Sequence, residues 1–197
     1  MTTESPHHIT LGQFTAVFVP SGLLLAWAML APELGGDLDL GRTRFTIWVV
    51  VLLLVPSLVL YLFRSVSQRI ANLSYLLWTA ALLVFLVHTY WGVFYYYRTI
   101  GAAFVGQGAA IFIPNFTLLV IWLIDTALLW LASESRARTL FHVIVRIAFF
   151  VLFALDMIVG RIGAAQILGF VFVGVLAAAG LARFVTARVQ VSEGRPL

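Results

Sequence analysis

Six long runs of apolar residues fill almost all of this 197-residue chain, and each run is long enough to cross a lipid bilayer as a helix. Only 10% of the residues are charged, whereas soluble domains carry about 25% charged residues. Within lipid, only helices and closed barrels satisfy all of their backbone hydrogen bonds, and these runs lack the alternating pattern of barrel strands. The sequence therefore predicts an all-α integral membrane protein.

The six runs predict a six-transmembrane-helix bundle that forms a single membrane domain over residues 1–197. The spans are expected at residues 11–31, 45–63, 70–97, 109–132, 139–160 and 162–182. Residues 1–10 contain no Lys or Arg, so the first run is interpreted as a retained span rather than a cleaved signal. Gly101, Gly106 and Gly108 predict a flexible loop between the third and fourth spans.

The basic residues between the spans, all of them Arg, predict the orientation of the bundle. One side of the bundle would carry Arg64, Arg69, Arg136, Arg138, Arg183, Arg188 and Arg195. The other side has fewer Arg residues, and Glu33, Asp37 and Asp39 dilute their charge. Because cytoplasmic loops are enriched in positive charge, we expect both termini in the cytoplasm of a multi-pass protein of the cell membrane. Arg residues scattered between spans do not form a nucleic-acid-binding patch.

The two halves of the chain resemble each other at one place. Residues 16–20 read Ala-Val-Phe-Val-Pro, and residues 110–114 read Ala-Ile-Phe-Ile-Pro. Each half would contain three spans, so the halves would insert with opposite orientations, as in the inverted repeats of many transporters. This pattern predicts a 3+3 inverted repeat, and the alternative is a chance match between apolar segments.

Small residues recur along the sixth span. Ala165, Gly169, Gly174, Ala178 and Gly180 lie at or near four-residue spacing. Small side chains let helix backbones approach one another closely within a membrane. We therefore expect this span to pack tightly against a neighbouring helix.

Ionisable side chains inside the spans are the candidate functional residues, because such groups are costly in lipid and usually face a partner or a wet cavity. They are His88, Asp125, His142, Arg146 and Asp156. Counting about 1.5 Å per residue from the flanking loops puts Asp125 and Arg146 at one height in neighbouring antiparallel spans. These two residues are predicted to form an intramembrane ion pair, either a structural one or part of a gate or a proton-linked element.

The other three residues are interpreted as a polar or proton site. The same counting puts His88 and Asp156 at a common height closer to the opposite surface. His142, Arg146 and Asp156 share one face of the fifth span, which should therefore point into the bundle. Since His titrates near neutral pH, His88 could act as a protonation switch, and the alternative is an ordinary hydrogen-bonded His.

The sequence offers no catalytic constellation. It contains no His-Glu-x-x-His motif, no Gly-x-Ser-x-Gly motif and no phosphate-binding loop. It also has no Cys, which excludes disulfides, thiolate metal sites and Cys nucleophiles. His88 and His142 differ too much in height to share one haem. We therefore predict no catalytic residue, no metal and no cofactor, although a lipid or a hydrophobic cofactor would suit such a bundle.

Three hypotheses for function follow. The first is a non-catalytic polytopic subunit or scaffold of a larger membrane complex, whose partners are the lipid bilayer, other membrane proteins or further copies of itself. The second is a small channel or transporter for protons, ions or a small solute, using the polar residues inside the spans. The third is a quinone-, haem- or pigment-associated redox subunit.

Overall fold

The fold was described from a computed structural model, which describes residues 9–34, 37–133, 135–159 and 163–192. These residues form seven α-helices and no strand. The helices are α1 (Leu11–Leu30), α2 (Leu38–Leu62), α3 (Gln68–Tyr90), α4 (Ile100–Gln107), α5 (Ala109–Leu131), α6 (Arg136–Val159) and α7 (Ala164–Ser192). All except α4 are long and apolar enough to cross a membrane, which confirms the prediction of an all-α fold with six helices of membrane-spanning length.

Side-chain caps decide where the first two helices begin. Thr10 and Gln13 cap α1 reciprocally, each side chain accepting a hydrogen bond from the other residue's backbone N–H. Asp37 Oδ1 accepts from the backbone N–H groups of Asp39 and Leu40 at 3.1 and 3.2 Å. This cap starts α2 at Leu38, whereas the span was predicted to begin at residue 45. The prediction was late because it followed the apolar run, and the first turns of α2 are polar.

Residues 100–107 form a helix where a flexible loop was predicted. A six-residue π-helix, Trp91–Tyr96, continues α3, and the short α4 follows it. Thr99 caps α4 by accepting a hydrogen bond from the backbone N–H of Ala102 at 3.0 Å. Gly108, with φ of +76°, ends α4 and allows the chain to begin α5 directly. The loop prediction was wrong because it was based on the three glycines and did not consider that Thr99 can cap a helix.

Helices α6 and α7 form the last hairpin. A Cβ atom added to Gly169 would lie 2.8 Å from Cβ of Met157, so α7 approaches α6 closely at this point, as the small residues predict. An atom added to Gly174 or Gly180 would meet nothing within 4 Å. Residues 160–162, the predicted junction of the last two spans, and Arg195 lie outside the described residues.

The core is centred on α2 and α3, which are held together by reciprocal hydrogen bonds. Ser57 Oγ donates to the carbonyl of Ser74 at 3.0 Å, and Ser74 Oγ donates to the carbonyl of Ser57 at 2.9 Å. Three fully buried rings, Trp78 of α3, Trp122 of α5 and Phe149 of α6, then join these helices to α5 and α6. Their centroids lie 4.5 to 5.3 Å apart, and we call this group the aromatic layer.

Candidate functional site

Three of the five candidate residues meet in the interior, between α5 and α6. Asp125 Oδ2 lies 3.3 Å from Nη1 of Arg146, and Asp125 Oδ1 lies 2.5 Å from Nδ1 of His142. Asp125 is 0% exposed, His142 5% and Arg146 4%. The two residues that the height count pairs are therefore neighbours in the structure, and His142 contacts the same carboxylate.

A second Arg extends this group and fixes the proton position on His142. Arg138 Nε donates to His142 Nε2 at 3.2 Å, and Arg138 Nη1 donates to the carbonyl of Ala132. Because Nε2 accepts a hydrogen bond, the ring proton sits on Nδ1 and is donated to Asp125. We call these four residues, Asp125, Arg138, His142 and Arg146, the buried charge cluster. Arg138, His142 and Arg146 are spaced four residues apart, which puts their side chains next to one another on one face of a helix. This spacing could have predicted the contact between Arg138 and His142 from the sequence.

Two aromatic rings pack against the Arg146 guanidinium. Its Cζ lies 4.1 Å from the ring centroid of Tyr61 and 4.4 Å from that of Trp78. Its Nη1 also donates to the carbonyl of His142 at 3.0 Å. The other two nitrogens, Nε and Nη2, are buried and have no hydrogen-bond partner among the described residues. Arg146 is therefore held by the hydrogen bonds of Nη1 and by two rings, while its Nε–Nη2 edge has no hydrogen-bond partner in the described part of the chain.

A cavity of about 1140 Å³ lies at one end of the bundle, which we call the cavity end. Its wall is formed by the first turns of α2, α5 and α7, by the last turns of α3, α4 and α6, and by the π-helix. The polar side chains that line it are Thr43, Arg44, His88, Thr89, Tyr96, Tyr97, Gln107, Asn115 and Asp156. The cavity thus combines apolar walls with convergent polar groups, as small-molecule sites do.

His88 and Asp156, the other predicted pair, both line this cavity. His88 Nδ1 lies 2.9 Å from the carbonyl of Thr43, so that nitrogen carries the proton and donates it. The same nitrogen lies 3.2 Å from Thr46 Oγ1. Asp156 is exposed. His142, which the sequence grouped with these two residues, is located in the buried charge cluster instead.

The π-helix contributes part of the cavity wall. Gly92, Val93 and Tyr96 line the cavity. A π-turn holds more residues than an α-turn and is frequent at functional sites. Sequence reasoning assigned this segment to the end of the third span, and no pattern in the sequence distinguishes a π-turn from an α-turn.

The aromatic layer separates the cavity from the buried charge cluster. Leu119 and Phe153 line the cavity, and each lies about one helical turn from a ring of the layer, Trp122 on α5 and Phe149 on α6. On its other side, the layer touches the cluster through Trp78, whose ring stacks on Arg146. From the cavity end inward, the order is therefore cavity, aromatic layer and charge cluster.

The described residues contain no group of three or more His, Asp or Glu side chains that could hold a metal ion. Comparisons of the chain with known protein families, with curated proteins and with solved structures find no match.

Proposed function

We propose that the protein is a small channel or transporter. It takes a solute into the cavity and moves the solute past the aromatic layer. The observation that carries this proposal is a polar-lined cavity of about 1140 Å³, whose wall includes residues of five of the six helices able to span a membrane. A purely structural bundle gains nothing from such a cavity, since membrane helices are stabilised by close packing. The buried charge cluster beyond the layer supplies polar groups at a second depth.

The finer features of this proposal come from the sequence. We propose that both termini are cytoplasmic, so that the cavity opens to the outer side of the cell membrane. The matching segments 16–20 and 110–114 lie in α1 and α5, and each has a proline inside its helix, Pro20 and Pro114. This correspondence supports a 3+3 inverted repeat, the arrangement by which many carriers alternate access to a central site.

The proposal is tested by thiol labelling, because the chain has no Cys and each introduced thiol is the only one present. Asn115→Cys and Thr89→Cys place a thiol on the cavity wall. Both should react with a charged, membrane-impermeant thiosulfonate added to one side of sealed vesicles, since that reagent attacks only a hydrated thiolate. The matched control is Val120→Cys on the same helix as Asn115, where the side chain is exposed on an apolar surface.

Labelling at positions 89 and 115 and none at position 120 would support a water-filled cavity. Equal failure at all three positions would show that the cavity does not open to water, which would contradict the proposal. A second measurement follows flux: reconstituted protein with Phe149→Ala, which removes one ring of the aromatic layer, should leak small solutes faster than the native chain. Unchanged permeability would show that the layer is not the barrier.

The second candidate function is a subunit or scaffold in a membrane complex or homo-oligomer. Gly174 and Ala178 lie four residues apart on exposed positions of α7, and a Cβ at Gly174 meets nothing within 4 Å. This small face allows close approach of another helix. Ala178→Cys should then form a disulfide-linked dimer under mild oxidation in membranes, whereas the Val120→Cys control should not. A product that stays monomeric would show that this face of α7 does not contact a second copy of the chain.

A further inference from the structure

The Nε–Nη2 edge of Arg146 is a buried, charged donor edge without a hydrogen-bond partner among the described residues. The Nε–H and the neighbouring Nη2–H point in the same direction, and this fork is the one that binds both oxygens of a planar oxyanion. Neither nitrogen has a hydrogen-bond partner among the described residues, although both are buried. A buried charged donor without a partner is strongly unfavourable. The fork therefore indicates a group that the protein itself does not supply.

Contacts with four helices hold the guanidinium in this orientation. The ring centroids of Tyr61 and Trp78 lie 4.1 and 4.4 Å from its Cζ. The hydrogen bonds from Nη1 to Asp125 and to the carbonyl of His142 hold the opposite edge. The direction of the fork is thus fixed by contacts from α2, α3, α5 and α6, which is the preorganisation expected of a binding site.

Four other described residues have a buried side-chain donor without a partner, and three of them adjoin Arg146 or its neighbours. These three donors are the indole N–H groups of Trp78 and Trp122 and the hydroxyl of Thr126, whereas the fourth, the indole N–H of Trp91, belongs to the π-helix. Trp78 stacks on Arg146, Trp122 packs on Trp78 at 4.9 Å, and Thr126 follows Asp125 on α5. Every one of these groups can donate a hydrogen bond to an acceptor.

The charge balance of the cluster points to an anion rather than to water alone. Among the described buried side chains there is one carboxylate, Asp125, and there are two guanidinium groups, Arg138 and Arg146. His142 is neutral in the tautomer that its two hydrogen bonds require. A bound monoanion would balance the second guanidinium and accept from the free donors, whereas a water molecule would leave the charge unbalanced.

We propose that the Nε–Nη2 edge of Arg146 binds the carboxylate of a small monocarboxylate, which reaches it from the cavity through the aromatic layer. This proposal rests on the proposed transport function and names its substrate class. The apolar part of such a solute would contact the rings of Trp78 and Trp122, and the carboxylate would be held by the Arg146 fork. A short path separates cavity and site, since Phe153 on the cavity wall is seven residues, or about 10 Å along α6, from Arg146.

The test is a binding titration on the purified full-length protein in detergent. Sodium butyrate is added at constant ionic strength, and binding is followed by tryptophan fluorescence and by the thermal unfolding midpoint. Sodium chloride and the neutral isostere butyramide are the matched ligands. We expect a saturable response to butyrate alone, because only a carboxylate presents two oxygens and a negative charge to the fork.

Variants then locate the site. Arg146→Lys keeps the charge and removes the fork, so the affinity for butyrate should fall by about tenfold or more. Because that variant could fail to fold, two further variants test the same site by removing one donor each: Thr126→Val keeps the side-chain shape, and Trp78→Phe keeps an aromatic ring of smaller size. Each should weaken binding several-fold. Arg183→Lys, at the other end of α7 from the cavity, is the control and should bind as the native chain does.

The outcomes separate the proposals. An equal response to chloride would overturn the carboxylate assignment in favour of a halide, and no response to any anion would overturn it in favour of bound water. Butyrate binding that is unaffected in all three site variants would place the carboxylate elsewhere. In each of these cases, labelling of Asn115→Cys still decides the transport function, so the two failures are distinguishable.

Discussion

Replacing Asp125 with Leu should be among the most damaging single changes in this protein. Asp125 is fully buried, and its carboxylate is the acceptor for both His142 and Arg146. Without it, Arg146 stays charged in the interior with one carbonyl and two ring faces as its remaining contacts. Breaking a buried ion pair by removing one partner costs about 3–5 kcal/mol. We expect the free energy of unfolding to fall by that amount.

The double variant Asp125→Leu/Arg146→Met should recover much of this loss, because no buried charge remains without its counter-ion. Recovery should be incomplete for a reason that the structure supplies: His142 Nδ1–H would lose its acceptor. An unsatisfied buried donor costs about 1–3 kcal/mol. The two substitutions are therefore expected to be strongly coupled, with the double variant about 2 kcal/mol more stable than Asp125→Leu alone.

The measurement is a double-mutant cycle on protein in detergent micelles, unfolded with increasing SDS and followed by tryptophan fluorescence. The ion pair between Arg98 and Asp39, 3.4 Å apart at the surface, is the matched control. Because the Arg98 side chain is 73% exposed, Asp39→Asn should cost only about 0–1 kcal/mol. Additive losses in the Asp125/Arg146 cycle would refute the reasoning, since they would show that the two charges do not depend on one another.

Two further predictions concern packing and hydrogen bonding. Gly169→Ala should destabilise the protein by about 1–3 kcal/mol, because the new Cβ would lie 2.8 Å from Cβ of Met157. Gly174→Ala is the control: its Cβ would lie in open space, so this variant should be as stable as the native chain or more stable. Unfolding of both variants in SDS checks these two predictions. His142→Leu should lower the free energy of unfolding more than His142→Gln does, since Gln can still donate and accept hydrogen bonds. Equal unfolding midpoints of the two variants would show that the hydrogen bonds of His142 contribute no stability.

The class of fold could be predicted because hydropathy over a long window depends only on composition and length. The six apolar runs correspond to the six helices of membrane-spanning length. The ends were less accurate where polar residues set them: Asp37 starts α2 earlier than the apolar run, and Thr99 starts α4 within an expected loop. Capping depends on one side chain and on local backbone geometry, so an average over many residues does not detect it.

The candidate site could be predicted only in part. Counting residues from the loops put Asp125 and Arg146 at one height, and in the structure they lie 3.3 Å apart, because they belong to adjacent helices joined by a short connection. The partners of His142 were missed because they depend on side-chain direction. The cavity depends on how non-adjacent helices are spaced and on the π-helix, and neither is encoded in the pattern of a single segment.

One face of α6 connects the three layers of the candidate site. His142 and Arg146 belong to the charge cluster, Phe149 to the aromatic layer, and Phe153 and Asp156 to the cavity wall. These residues follow one another at spacings of three or four, so they form a single stripe along the helix. A helix is stiff along its axis, so a solute that moved the backbone of α6 at Phe153 or Asp156 would also move Phe149 and Arg146. Under the proposed transport function, such a backbone shift would link occupancy of the cavity to the geometry of the charge cluster, because α6 contributes to all three layers through a single stripe.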